Sequence, residues 1–201
     1  MKTPNHSEQI ADLVQKNGLI RARDLVPLQI PRATLTRMVQ TGRLMQISRG
    51  LYALPEQIRS EFHPFAEVAS RSPNGVLCLL SALRFHQLTT QSPHEVWLAI
   101  PNKARAPKME YPPLRIVRFS GAALTQGIER HRVDGVSIRV YSVAKTVADC
   151  FKYRNKIGLD VALEALRESR REKRATVDEL WRYAKVCRIA SVIRPYLESL
   201  E

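Results

Sequence analysis

The sequence predicts an α+β fold: an N-terminal winged helix-turn-helix followed by a larger mixed α+β domain. Three observations carry this expectation. A helix over residues 31–40, apolar on one face and basic-polar on the other, runs at once into a short hairpin with Arg49-Gly50 at its turn. Beyond residue 60, helices and strands follow one another without regular β-α-β alternation, which speaks against a doubly wound parallel sheet. The chain is also strongly basic, with a formal net charge of +13 over 201 residues. The basic excess lies on both sides of residue 60, and nucleic acid is the first partner such a charge suggests.

Taken in order, Ser7 is a candidate N-cap, with Ile10, Leu13 and Val14 following at helical spacing. Asn17-Gly18 closes that helix, and Leu19-Ile20 offers a short strand that can pair with the wing. Residues 22–28 read as the helix before the recognition helix, cut short by Pro27. Leu25 and Val26 are expected to pack on Leu13, Leu35 and Val39. Pro31 suits the first turn of the next helix, where its missing N–H leaves nothing unpaired. At about 100° per residue, Leu35, Met38 and Val39 share one face of that helix. Thr36, Arg37 and Gln40 lie opposite, flanked by Arg32 and Thr34. Gly42 can end the helix in a left-handed cap, with Arg43 next to it. Residues 44–47 and 51–54 are the two strands of the hairpin, joined by Ser48-Arg49-Gly50. Ile10, Leu13, Val14, Leu25, Leu35, Val39, Ile47 and Tyr52 then form a small core, completing a domain over residues 1–60.

Side chains on the exposed face suit base edges and phosphates: Arg for guanine, Gln for adenine, Thr for either. The candidate DNA-binding residues are therefore Arg32, Thr34, Thr36, Arg37, Gln40, Arg43 and Arg49.

A polar connector over residues 55–60 leads into the second domain, residues 61–201. The expected elements are a helix over 62–71, a turn at 72–75 and a strongly apolar helix over 76–87. A strand over 95–100 alternates, with Val96, Leu98 and Ile100 on one side and Trp97 and Ala99 on the other. Residues 101–113, rich in proline and basic side chains, form a loop. Strands over 114–119 and 136–141 precede helices over 142–154, 159–170 and 176–187 and a terminal segment to residue 200. Thr176 and Glu179 have the spacing of a capping box.

Composition excludes several classes. At 44% hydrophobic the chain can bury a core. No apolar run approaches the ~20 residues of a membrane span, and the N-terminus lacks a signal-peptide segment. Cys78, Cys150 and Cys187 are odd in number and sit in apolar patterns, as buried free thiols of a reducing cytoplasm do. There is no Walker loop, no G-x-G-x-x-G, no G-x-S-x-G and no H-E-x-x-H. The five histidines have no ligand spacing with each other or with cysteine, so no metal or cofactor is expected. Glu95 and Asp134 lie near strands, as nuclease carboxylates can, but nothing fixes them as a metal-binding pair.

Two polar clusters remain. Lys145, Thr146 and Asp149 lie one turn apart on the 142–154 helix, with Lys152 and Arg154 beyond. The simpler expectation is a surface i,i+4 ion pair, the other a functional surface. Arg167, Arg170, Arg171, Lys173 and Arg174 read as a solvated helix end, or as a phosphate contact.

Four stretches resemble the AbiEi family of antitoxins from type IV toxin–antitoxin (abortive-infection) systems. They are RGLYAL at 49–54, GVLCLLSALRFHQL at 75–88, VWLAIP at 96–101 and DGVSIRVYSVAKTVADCFKYRNKIG at 134–158. Their order and spacing extend the resemblance nearly end to end, with Pro27 as a departure. The resemblance implies a winged helix that binds inverted repeats in its own promoter and represses the operon. It implies a non-enzymatic second domain that counters AbiEii, a nucleotidyltransferase toxin, without a stable complex. It maps no antitoxin residue here, so Lys145, Thr146, Asp149, Lys152 and Arg154 are candidates from the residues alone. Two other readings stay open: a nuclease-like enzyme linked to a winged helix, and a plain regulator with no toxin.

Overall fold

The computed structural model describes residues 5–55 and 60–199, so most of the expected 55–60 connector and the last two residues lie outside the described residues. The chain is mixed α+β, with helices and two sheets in two compact units.

The first unit comprises Met1–Arg71 and Arg132–Ile138. Helix α1 (His6–Asn17) is capped by Asn5 rather than by Ser7. Asn5 accepts from the Ser7 N–H, and Glu8 reaches back to the Asn5 N–H. The helix ends at Gly18, whose φ of +76° is a left-handed conformation that glycine tolerates. Strand β1 (Leu19–Arg21) follows. The helix expected over 22–28 is only a 3-10 turn, Ala22–Leu25. Pro27 has no N–H to continue it, and Val26, expected in the core, is 63% exposed. Helix α2 (Arg32–Gln40) and strands β2 (Met45–Ser48) and β3 (Leu51–Ala53) complete the segment.

The three strands form an antiparallel sheet in the order β1-β3-β2. Ile10, Val14, Ile20, Leu25, Ile30, Leu35, Met38 and Leu44 are its core. Helix α3 (His63–Arg71) also belongs to this unit. Its His63 Nδ1 lies 2.8 Å from Asp134 Oδ2, and both side chains are largely buried. The expected domain division at residue 60 falls inside this unit.

The second unit comprises Ser72–His131 and Arg139–Glu201. The apolar helix expected over 76–87 is two elements, strand β4 (Val76–Leu77) and helix α4 (Leu79–Phe85), joined by Cys78 in extended backbone. Strands β5 (Val96–Pro101) and β6 (Leu114–Phe119) follow, then a short helix α5 (Gly121–Thr125). Strands β7 (Ile128–Val133) and β8 (Val136–Tyr141) complete a five-stranded sheet in the order β6-β5-β4-β8-β7. β4 runs antiparallel to β5 and parallel to β8, and β5 runs parallel to β6, so the sheet is mixed.

Helix α6 (Val143–Lys152) is the centre of the helical layer, packed by α4, α8 (Leu159–Arg171) and α9 (Val177–Cys187). A single turn, α7 (Arg154–Ile157), separates α6 from α8, and α10 (Ala190–Glu198) ends the described chain. Thr176 and Glu179 form the expected capping box at the start of α9. All three cysteines are buried free thiols. Among the described residues no helix is long and apolar enough to cross a membrane.

Candidate nucleic-acid interface

Helix α2 is positioned from its apolar side. Leu35 and Met38 are buried and Val39 packs beside them, which turns Arg32, Thr36, Arg37 and Gln40 to solvent. Pro31 stands at the N-cap, one residue before the helix proper. At the far end the Thr41 hydroxyl donates to the Arg37 carbonyl at 3.0 Å. Gly42, at φ +69°, turns the chain so that Arg43 N–H reaches the Met38 carbonyl at 2.9 Å and Leu44 enters the core. The helix is thereby joined to β2 by a short hydrogen-bonded turn.

The hairpin turns at Arg49-Gly50, with Gly50 at φ +74° and an irregular register between Gln46 and Ser48. On the other side of β3, β1 pairs Ile20 with Tyr52 and Arg21 with Leu51. The Ala22 N–H donates to the Gly50 carbonyl at 3.0 Å, which ties the end of β1 to the hairpin turn.

Between α2 and the sheet lies a groove of about 500 Å³. Its walls hold Arg21, Arg23, Arg32 and Arg49, with Thr36, Gln46 and Tyr52 between them. Three of the expected residues, Arg32, Thr36 and Arg49, therefore meet in one groove. Arg37, Gln40 and Arg43 are exposed beside it without lining it, and Thr34 is half-buried. Arg21, Arg23, Gln46 and Tyr52 are additions. Their signal was the short strand itself: pairing Leu19-Ile20-Arg21 with the hairpin necessarily carries Arg21 to the tip.

Arg21 is the most informative of these. Its Nη2 is buried and has no hydrogen-bond partner among the described residues. Burial, and then the neighbouring Arg23 guanidinium, push it below the ordinary arginine range. Asp24 alone among its charged neighbours opposes that fall. A buried Nη2 without a hydrogen-bond partner, in a groove with three further arginines, suits a phosphate oxygen, to which a guanidinium fork donates.

The second expected cluster is placed otherwise. Lys145, Thr146 and Asp149 are not at the surface: every residue from Val143 to Phe151 is buried. The expected surface ion pair is an interior one, with Lys145 Nζ 2.6 Å from Asp149 Oδ2. The ammonium also lies 4.1 Å from the Tyr141 ring centroid and 4.9 Å from that of Phe119. The other Asp149 oxygen accepts from Cys187 Sγ at 3.2 Å, and the Thr146 hydroxyl donates to the Tyr141 carbonyl. Burial lifts the Asp149 carboxyl above the usual carboxylate range, and Lys145 opposes that rise. Of the five candidates only Lys152 is exposed. Arg154 is half-buried and donates to the Phe151 carbonyl.

Two members of the arginine cluster at the end of α8 are likewise committed to the fold. Arg170 donates to the Ala175 carbonyl and Arg174 to the His86 carbonyl. His86, whose Nε2 is 2.8 Å from the Tyr141 carbonyl, is held below the usual histidine range by burial. No group of three or more His, Cys, Asp or Glu side chains among the described residues is arranged to hold a metal ion.

Residues 8–55 match the family model described as a transcriptional regulator, AbiEi antitoxin. No curated protein matches the chain. Over 92% of its length the chain is similar in fold to the crystal structure of the RV2827C protein from Mycobacterium tuberculosis, with a TM-score of 0.61. The two share 14% identity, and the match covers 72% of that protein's chain.

Proposed function

We propose, from the AbiEi antitoxin regulator domain carried by residues 8–55, that the chain is a DNA-binding repressor of its own operon and the antitoxin of a type IV system. The observation that carries the DNA reading is the groove between α2 and the hairpin, with four arginines and a buried Arg21 Nη2 that has no hydrogen-bond partner among the described residues. In this reading α1, the 3-10 turn, α2 and the sheet β1-β3-β2 are a winged helix. α2 enters the major groove, and the hairpin, its wing, lies along the backbone. Thr36, Arg37, Gln40 and Arg43 face base edges, Thr34 supports them from the flank, and Arg21, Arg23, Arg32 and Arg49 take phosphates. Base contacts then set specificity, and phosphate contacts set position and most of the affinity.

Antitoxicity we assign to residues 61–201, acting against a nucleotidyltransferase toxin without a stable complex and without catalysis. With Lys145, Thr146 and Asp149 inside the core, the contacting surface lies elsewhere on that region, and Lys152 is the one exposed member of the original set.

The test uses the chain's own upstream DNA and a neighbouring nucleotidyltransferase gene expressed from a second plasmid. The wild-type protein should bind inverted repeats in that DNA, repress a reporter and protect cells. Arg32→Ala, Arg37→Ala and Arg49→Ala together should abolish repression and leave protection intact. Failure to bind the upstream DNA sinks the repressor reading. Loss of protection by a folded triple variant sinks the division of labour.

A further inference from the structure

The second unit carries more than half of the chain's excess positive charge, and the groove described above uses none of it. Part of that charge lines a second concavity of about 730 Å³, built between strand β6 and the α6–α7 corner. That volume falls within the roughly 300–1,000 Å³ typical of small-molecule sites. Its walls are Trp97, Arg115, Arg118, Tyr153 and Lys156, with Ala106 of the 102–113 loop at the rim.

Each side chain has a distinct part. Strand β6 is an edge strand, and the parallel register sets Arg115 beside Trp97. The Arg115 guanidinium lies 5.4 Å from the Trp97 ring centroid, and Glu95 accepts from its Nε at 2.9 Å. A plane held in this way by an indole and a carboxylate offers its outer face to another flat ring and its terminal nitrogens to an anion.

Arg118 is engaged otherwise. Its Nη1 donates to the carbonyls of Pro101 and Ala104, so it holds the start of the loop and shapes the rim. Across the groove the Tyr153 ring packs 5.7 Å from that of Phe119, which fixes its orientation. Burial pushes the Tyr153 phenol up to about 12, so near neutral pH it is a hydroxyl able to donate. Lys156 Nζ lies 5.7 Å from that ring, and among the described residues no carboxylate pairs with it. Glu95, committed to Arg115, is the acid nearest these cations in the described contacts.

A cationic groove with flat side chains, in which the described contacts pair one carboxylate, Glu95, with Arg115 Nε and none with Lys156, selects a ligand that is both anionic and flat. We propose that this groove binds a nucleoside phosphate, its base stacked on the Arg115 plane and the Tyr153 ring and its phosphates held by Arg115 and Lys156. The same chemistry is presented by a free nucleotide and by the end of a single-stranded RNA. The site shares no residue with the DNA groove and stands whether or not the repressor reading does.

The experiment is calorimetric titration of the full-length protein with ATP, UTP, inorganic triphosphate and a short single-stranded RNA. It is repeated on Arg115→Ala with Lys156→Glu, both exposed positions. Thermal melting and far-ultraviolet circular dichroism confirm that the double variant is folded. Arg115→Lys is the second variant, keeping the charge and removing the plane.

At least one nucleotide should bind, more tightly than triphosphate alone. The double variant should weaken it by about tenfold or more, as loss of a charged hydrogen bond does. Arg115→Lys should weaken the nucleotide and leave triphosphate binding unchanged. RNA binding that exceeds mononucleotide binding, and is lost in the same variant, assigns the site to a strand end. The proposal is overturned by no binding of any probe, by equal binding to the double variant, or by triphosphate binding as tightly as nucleotide.

Discussion

Lys145 and Asp149 form an ion pair inside the second unit, Nζ to Oδ2 at 2.6 Å, with both side chains at 1% exposure or less. An interior pair of this kind contributes little net stability, because desolvation offsets most of the attraction, yet removing one partner leaves a buried charge without its counter-ion. Lys145→Met should therefore cost about 3–5 kcal/mol. Lys145→Met with Asp149→Leu should recover most of it. Urea denaturation of the three proteins measures both, and a double variant no more stable than the single one contradicts the pairing argument.

Arg37 is exposed on α2 beside the groove, where a guanidinium can reach a guanine edge. Arg37→Ala should lose ~1–3 kcal/mol of operator affinity and relax preference at one base position. Competition binding with a panel of single-base operator variants reads this. An unchanged preference at every position removes Arg37 from the base-reading set.

Arg21 and Arg49 line the same groove near the hairpin turn and are assigned to phosphates. Replacing either with Ala should weaken binding to operator and unrelated DNA alike. Each change should also lower the slope of log K against log salt by about one unit. Fluorescence anisotropy over a salt series gives the slope. For Arg21 a second outcome follows: relieved of a buried Nη2 without a hydrogen-bond partner, the free protein should melt no lower than the wild type.

Glu67 on α3 is 2% exposed, and its Oε1 has no hydrogen-bond partner among the described residues. Burial raises its carboxyl above the usual range, while Ser48, Arg71 and His63 oppose the rise. An acid raised in the folded state favours folding while it stays protonated. That contribution is complete below the unfolded value, near 4.5, and is lost as pH rises through the folded value. Glu67→Gln should therefore become progressively more stable relative to wild type as pH rises through that window. Denaturation midpoints across the acidic to neutral range measure the difference, and a difference that does not vary with pH rules out Glu67 as its source.

Helical period and glycine position made α2 and the hairpin legible, because one apolar face and a left-handed Gly42 leave few alternatives. The 76–87 stretch was not legible in the same way. A short buried strand and a buried helix have the same apolar composition, so β4 was absorbed into α4. Strand β7 was missed although Asp134-Gly135 marks its end. Both residues have positive φ, +49° and +77°, as the two central residues of a type I′ hairpin turn do. The position of Lys145 and Asp149 was misread because i,i+4 spacing says that two side chains meet and nothing about where. The cue lay in their neighbours: Ala144, Val147, Ala148, Cys150 and Phe151 leave no polar face around them. In the candidate interface, Arg32, Thr36 and Arg49 were readable from local pattern. Arg21 needed the pairing of β1 with β3, which local pattern cannot supply.

Residues 132–138 complete the first unit although some sixty residues of the second unit precede them in the chain. Gly18 and the Asp134-Gly135 turn are in such close approach that a Cβ on Gly18 would fall 1.1 Å from the Asp134 carbonyl oxygen. A protein made from its N-terminus therefore cannot finish its first unit first. Residues 1–71 meet their last partner only when the turn has been made, by which time strands β4 to β7 of the second unit's sheet have been translated. A chain cut short before that point therefore holds the first unit's N-terminal segment without its contact to the Asp134-Gly135 turn.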